Sequence, residues 1–257
     1  MIDHPVPLFE ASGMHRQAAF LARVRQGLGK TTPLPSVLET LPEVDVVLPS
    51  TSVGVQMSDL VTRLETELTA VGGQVIRVSS PAAVTAYIKD FVAQRNLRHV
   101  VRWSSEFLDQ LEIDAALLQH GVQVHATALQ PDNSSGENRQ TMRQLLAQAE
   151  LGISGVTYAI AETGTLALAA HAGQMRGVSL LPPVHIAIAQ GEQIVATLAD
   201  CLARLQAAGD HLQHNLTSCI SFITGPSRTG DIELNLTIGV HGPGELHLVI
   251  LDHAASG

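Results

Sequence analysis

The chain has 257 residues, 45% of them hydrophobic but only 3% aromatic, and a formal net charge of −9. That length fits one large domain or two small ones with a substantial core, and the few aromatics make that core one of Leu, Val, Ile and Ala. The negative charge argues against nucleic acid or an anionic membrane surface as the main partner. Cys201 and Cys219 are too few for a disulfide scaffold or a four-thiolate cluster, and two apolar-flanked thiols fit a reducing, cytoplasmic compartment. Met1-Ile2-Asp3-His4-Pro5 lacks the charged and apolar runs of a signal peptide. No uncharged apolar run of about 18 residues predicts a membrane span.

In chain order, residues 12–27 read as an amphipathic helix with Phe20, Leu21, Val24 and Leu28 at helical spacing. Gly27 and Gly29 stop it, and the prolines between Thr31 and Pro42 mark an irregular connection. This predicts an N-terminal helix and linker over 1–43 and an α/β domain over 44–257, with a short extended lead-in at Val44–Leu48. The body then alternates. Helices are expected over 58–71, 82–95 and 138–149, the second capped by Ser80 with Pro81 at its first position, and helical turns within 107–119. Strands are expected over 74–78, 99–102 and 122–126. After Gly152 strand-like runs crowd together at 155–160, 165–169, 184–189, 219–224 and 246–251, around one helix at 194–208. Strands alternating with helices of this length imply right-handed crossovers and a mostly parallel sheet.

Small polar and charged residues on glycine turns abut these last strands. Glu162-Thr163-Gly164-Thr165 sets two hydroxyls and a carboxylate beside a glycine free to take positive φ, which suits an anion nest or a base; a polar hairpin is the alternative. Gly225-Pro226-Ser227-Arg228-Thr229-Gly230-Asp231 gathers Ser227, Thr229 and the guanidinium fork of Arg228, a group suited to carboxylate or phosphate. Asp231 and Glu233 can pair with that arginine instead. His241, before Gly242-Pro243, is an accessible acid–base group, whereas His185 in its apolar run reads as a hydrogen-bonded core histidine. Such clusters are expected at strand ends, where ligands bind in open α/β sheets. The twelve histidines show no metal-binding spacing. No dinucleotide fingerprint, phosphate-binding loop or nucleophile elbow is present.

Taken together, Ala161-Glu162-Thr163-Gly164-Thr165, Arg176 with Ser179-Leu180-Leu181-Pro182, His185-Ile186, Gly225-Pro226-Ser227-Arg228-Thr229, Asp231-Ile232-Glu233 and Gly239 with His241-Gly242-Pro243 resemble the lactate-utilisation protein C family of LUD-domain proteins. The resemblance runs from about Leu60 to Asp252. It implies a Rossmann-like three-layer α/β fold similar to the sugar-phosphate isomerase and CoA-transferase superfamily, with a smaller β-rich insertion. It also implies a part in converting L-lactate to pyruvate beside iron–sulfur partner proteins. This chain lacks the cysteine-rich stretch of the larger relatives, so no cofactor of its own is expected and the clusters belong to the partners. It reads as a subunit of a lactate-oxidising complex that handles a small 2-hydroxy or keto acid; dimerisation is left open. Arg228 or Arg176 would anchor the carboxylate, with Thr163, Gly164, Thr165, Ser227 and Thr229 around the substrate. His241 or Glu162 would be the base. The alternatives are CoA or acyl transfer with Glu162 as nucleophile, and a non-catalytic binding or assembly subunit. A sugar-phosphate isomerase fits less well, since Lys30 and Lys89 are the only lysines and neither lies near these clusters.

Overall fold

The computed structural model describes residues 22–24, 26, 56–127, 136–210, 219–230 and 236–252. The chain divides into two compact units, residues 1–47 and 48–257. Of the first, Ala22–Val24 and Gln26 are helical; the rest of the helix expected over 12–27, the proline-rich connection and the extended lead-in lie outside the described residues.

In the second unit the alternation is realised. Helix α1 (Met57–Ala70) buries Leu60, Val61, Leu64 and Leu68 along one stripe and stops before Gly72, whose φ is +90°. Strand β1 (Gln74–Val78) follows. Helix α2 (Pro81–Arg95) starts as its sequence dictates: the Ala83 amide donates to Ser80 Oγ at 3.3 Å, and Pro81 needs no amide partner in the first turn. Next come β2 (His99–Arg102), α3 (Glu106–Gln110), α4 (Ile113–Leu118), β3 (Gln123–Ala126) and α5 (Gly136–Gln148). The helical turns expected within 107–119 form the two short helices α3 and α4, separated at Glu112, which takes φ +51°.

The crowded second half contains β4 (Leu151–Gly155), β5 (Tyr158–Ile160), β6 (Thr165–Ala169), α6 (Gly177–Leu180), β7 (Val184–Gln190), β8 (Ile194–Val195), α7 (Leu198–Asp210), β9 (Ile220–Ile223), β10 (Arg228–Gly230), β11 (Leu236–Ile238) and β12 (Glu245–Leu251). Six strands form one sheet in the order β1-β12-β7-β4-β2-β3, with every neighbouring pair parallel. A second sheet has the order β8-β5-β6-β9, and β10 and β11 make a separate ribbon. Strands β7 and β12 are buried over six of their seven residues. That is the behaviour of parallel strands covered on both faces.

Register and contacts show how the layers are arranged. His185 in β7 lies opposite both Gly152 in β4 and Leu246 in β12, so these three share a face. His247, one residue further along β12, points to the other. Tyr87 and Phe91 of α2 meet His247, while the Val178 carbonyl of α6 lies against Gly152. Helices α2 and α6 therefore cover opposite faces, giving a three-layer α/β unit with a smaller β-rich part.

Two expectations need correction. The strand predicted from Gly155 to Ile160 is two elements, and the buried central strand β4 begins at Leu151. The helix predicted from Ile194 starts at Leu198, because Ile194 and Val195 pair with Ala159 and Ile160 in the second sheet. No described helix is long and apolar enough to cross a membrane.

Candidate functional site

Three loops meet over the face that carries His185. The Ser227 amide donates to the Pro243 carbonyl (2.8 Å), the Gly239 amide to the Ser227 carbonyl (2.9 Å) and the Gly244 amide to the Pro183 carbonyl (2.9 Å). Gly242 allows this closeness, since a Cβ there would sit 3.2 Å from the Ser227 Cβ. These backbone bonds fix the walls of a cavity of about 230 Å³. Its polar lining is Ser179, His185, Thr224, Ser227 and His241. Leu180, Phe222, Ile223, Pro243 and Leu246 give the apolar part. The volume falls below the roughly 300–1,000 Å³ of sites for drug-sized ligands, so a ligand of a few heavy atoms fits it. No Lys, Arg, Asp or Glu is among the lining residues. Polar contact is left to hydroxyls, imidazoles and backbone.

The cavity lies beside the amino ends of β7 and β12, where His185 and Leu246 are each the second strand residue. This differs from doubly wound sheets, whose ligands lie outside the carboxyl ends. The physical reason is the insertion of the second sheet: its strand β9 leads into the 225–227 turn, which folds back over the entry to β12.

The residues singled out in the sequence divide into three groups. Ser227 and His241 line the cavity, and His241 is exposed at its mouth. Thr163, Thr165 and Thr224 form a hydroxyl chain with O···O distances of 2.7 and 2.8 Å, so the Glu162-Thr163-Gly164-Thr165 turn reaches the wall through Thr224. Glu162 itself is exposed and outside the lining, with its amide bonded to the Ala196 carbonyl. Gly164 does take φ +63°, but the backbone that closely approaches it is that of Leu68 in α1. Thr229 lies in the β10–β11 ribbon opposite Thr237. Asp231 and Glu233 lie outside the described residues.

The two arginines stand elsewhere. Arg176 is exposed, with Nη1 4.0 Å from Cys219 Sγ. Arg228 donates from Nη2 to the Val71 carbonyl just past α1, at 2.5 Å. Gly72 and Gly225 leave room for this, since a Cβ on Gly225 would lie 2.7 Å from that same carbonyl. A guanidinium on the last carbonyls of a helix satisfies an orphan acceptor and opposes the negative end of the helix dipole. Arg228→Ala is therefore expected to lower stability by about 1 kcal/mol, read as a lower urea midpoint with an unchanged slope; an unchanged midpoint would remove this helix-end role.

Sequence reasoning missed Ser154 and undervalued His185. Ser154 Oγ lies 2.8 Å from His185 Nε2, and both side chains are buried. Burial, with a smaller contribution from neighbouring His247, holds the His185 pKa down at about 3, so the ring is neutral. The available signal was strand alternation, which puts a serine two residues after Gly152 on the face that His185 shares.

A second cavity, of about 370 Å³, opens on the opposite face beside Gln74, Tyr87, Asp90, Phe91, Arg95 and His247. It is the larger, but both ring nitrogens of His247 are engaged: Nδ1 with the Tyr87 hydroxyl at 2.7 Å and Nε2 with Glu245 Oε1 at 2.8 Å. Arg95 binds both oxygens of Glu245. These bonds tie the start of β12 to α2, and burial leads in raising the Tyr87 pKa to about 12. His247, Glu245 and Arg95 are already engaged with one another here, so the smaller cavity, with no charged side chain in its lining, is the stronger candidate.

Fold and cavity define a Rossmann-like α/β domain with a compact cavity lined by no charged side chain. A family model described as the LUD domain matches residues 61–251. The chain belongs to the LUD domain family. It is 35% identical over 159 residues to a lactate utilization protein C from Halalkalibacterium halodurans, covering 61% of this chain and 64% of that relative. It is 28% identical over 242 residues to the protein of that name from Shouchella clausii, covering 91% and 96%. The first alignment thus spans just under two thirds of its relative and the second nearly all of it. A solved DUF162 family protein from Deinococcus radiodurans shares the fold with a TM-score of 0.53 at 21% identity, covering 77% of this chain and 99% of that one.

Proposed function

We propose that this chain is the component of an L-lactate utilisation system that holds the 2-hydroxy acid while it is oxidised to pyruvate, with iron–sulfur partner proteins accepting the electrons. The observation that carries this reading is the likeness to lactate utilization protein C over 91% of the chain. The cavity supports it: its size suits a three-carbon acid, and an exposed imidazole stands at its mouth.

Oxidation removes two electrons and two protons from lactate. In this reading His241 takes the hydroxyl proton, because it lines the cavity whereas Glu162 does not. The C2 hydrogen leaves as the second proton, and the two electrons pass singly to the partner proteins. The carboxylate is met by the hydroxyls of Ser227 and Thr224, since Arg228 is committed to the Val71 carbonyl. Among the described residues no group of three or more His, Cys, Asp or Glu side chains could hold a metal ion. With only two cysteines in the chain, this reading assigns the clusters to the partners.

Lactate-dependent reduction by the complex reconstituted with its iron–sulfur partners tests the reading. A positioned general base contributes about 10²–10⁴-fold, so His241→Ala is expected to lower the rate at least 100-fold while its melting temperature stays near wild type. Full activity in that variant would remove His241 from the chemistry. A reconstituted complex that reduces nothing with L-lactate would overturn the function.

A further inference from the structure

Burial orders the lining of the 230 Å³ cavity from floor to mouth. Ser179, His185 and Leu246 are buried, whereas Leu180, Phe222 and His241 are exposed. An occupant enters on that exposed side, and whatever it gives up leaves there. Exposed large hydrophobic side chains continue outward from the mouth. Leu181 follows Leu180, Val240 precedes His241, and Ile238 Cγ2 would lie 3.6 Å from a Cβ on Gly244, beside the lining residue Pro243. A Cβ on Gly242 would lie 3.8 Å from the Leu180 carbonyl oxygen, so the end of α6 and the 239–244 loop are neighbours. Leu180, Leu181, Phe222, Ile238 and Val240 are 37–57% exposed. A contiguous apolar patch of this kind marks a surface that another molecule covers.

Its surroundings say what covers it. Ile238 belongs to the ribbon of β10 and β11, which pairs with neither sheet. Two strands alone are marginally stable in water, so this ribbon gains from a covering surface. The cavity lining inside the patch holds no charged side chain, on a chain whose net charge is −9. Depletion of charge is the mark of an interface core. Two copies of so acidic a chain repel each other, and joined mouth to mouth they would close both cavities. An electron acceptor, by contrast, has to come close to the acid, because single-electron transfer weakens steeply with distance.

We propose that this patch is the docking surface for the iron–sulfur partner protein, which seats an apolar, cluster-bearing face over the cavity mouth. This deepens the proposed function and rests on it. Docking there puts the acceptor on the open side of the cavity and shields the bound acid from water. The two electrons cross singly to the cluster while His241 holds the hydroxyl proton. Leu181, Ile238 and Val240 lie outside the cavity lining, so they serve the partner and can be altered without touching the acid.

The test is calorimetric titration of the cluster-loaded iron–sulfur partner into the full chain and into Leu181→Glu, Ile238→Glu and Leu118→Glu, with lactate-dependent reduction followed at rising partner concentration. Leu118 is the control: it is 70% exposed on α4, which packs against α2 on the opposite face of the sheet. Leu181→Glu and Ile238→Glu should each weaken partner binding at least tenfold, and Leu118→Glu should leave it unchanged. L-lactate should bind all four proteins alike when the partner is absent. The two patch variants should need more partner for half-maximal reduction and reach the wild-type rate at saturation. Equal partner binding by all four proteins would overturn the docking surface and leave the lactate reading standing. So would sedimentation that shows a wild-type dimer split by the two patch variants while they bind the partner as wild type does, since the patch would then belong to a second copy. Partner binding lost as expected, with no reduction by L-lactate in any of the four, would keep the docking surface and sink the lactate reading. No partner binding to wild type would overturn the inference.

Discussion

Gly152→Ala is expected to cost the domain about 3 kcal/mol or more, at the upper end of core overpacking. A methyl group there would fall on the Val178 carbonyl oxygen, and the Pro182 ring lies 3.2 Å away. Val178 belongs to α6, whose own turn is held by the amide bonds of Val178 to Met175, Ser179 to Arg176 and Leu181 to Gly177. Gly152 sits in the central strand between β2 and β7. Because α6 also carries Ser179 and Leu180, both cavity-lining residues, any pushing away of the helix should open the site. Urea unfolding and ligand titration of the same variant should therefore fall together. A variant as stable as wild type would show that the close packing of α6 on β4 is wrong.

Acid sensitivity is the second large effect. In the unfolded chain His185 titrates near 6.5, whereas in the folded protein burial first, and His247 second, hold it at about 3. The unfolded state therefore binds the proton first. The contribution of His185 is fully present above about pH 6.5 and is lost as pH falls from there towards 3, at up to roughly 1.4 kcal/mol per pH unit. His247 acts in the same direction: burial lowers its pKa more than the bond to Glu245 raises it. For Glu245 burial pushes upward, but the bonds from His247 and Arg95 prevail and the net shift is downward; its share is lost only below the usual carboxylate range. Stability from urea titrations at pH 7, 6, 5 and 4 should fall steeply in wild type and less steeply in His185→Gln, which keeps a polar side chain but does not titrate. Equal slopes in the two proteins would contradict the buried, neutral state of His185.

Much of the fold was legible because local and long-range signals agree in this chain. Ser80-Pro81 marks the start of α2, Gly72-Gly73 the end of α1, and the apolar runs of β7 and β12, each interrupted by one histidine, read as buried strands. Strand β4 was obscured by its own packing. Glycines at 152 and 155 look like breaks, yet Gly152 is there because a helix carbonyl occupies the place of its side chain. Ile194-Val195 has an apolar pattern that suits a helix start as well as a strand, and pairing with β5 decides it.

The site was less legible for a related reason. Ser227 and His241 could be picked from their turns, but which turns converge depends on the strand order, where β12 inserts between β1 and β7. Arg228 looked like a ligand anchor because guanidinium suits both a substrate carboxylate and a helix-end carbonyl. The partner it has here is 157 positions away in sequence. Ser154 and His185 sit in apolar strands and carry no turn signal at all.

The most direct measurement is a calorimetric titration of L-lactate and pyruvate into the full chain and into Ser227→Leu, a variant that fills the cavity with an isopropyl group in place of a hydroxyl. The account predicts binding of both acids to wild type and none to Ser227→Leu, with the melting temperatures within a few degrees of each other, as a surface-facing change of this size implies. Equal binding to both proteins would place the acid outside this cavity, and no binding to wild type, alone or with its iron–sulfur partners present, would contradict the central claim.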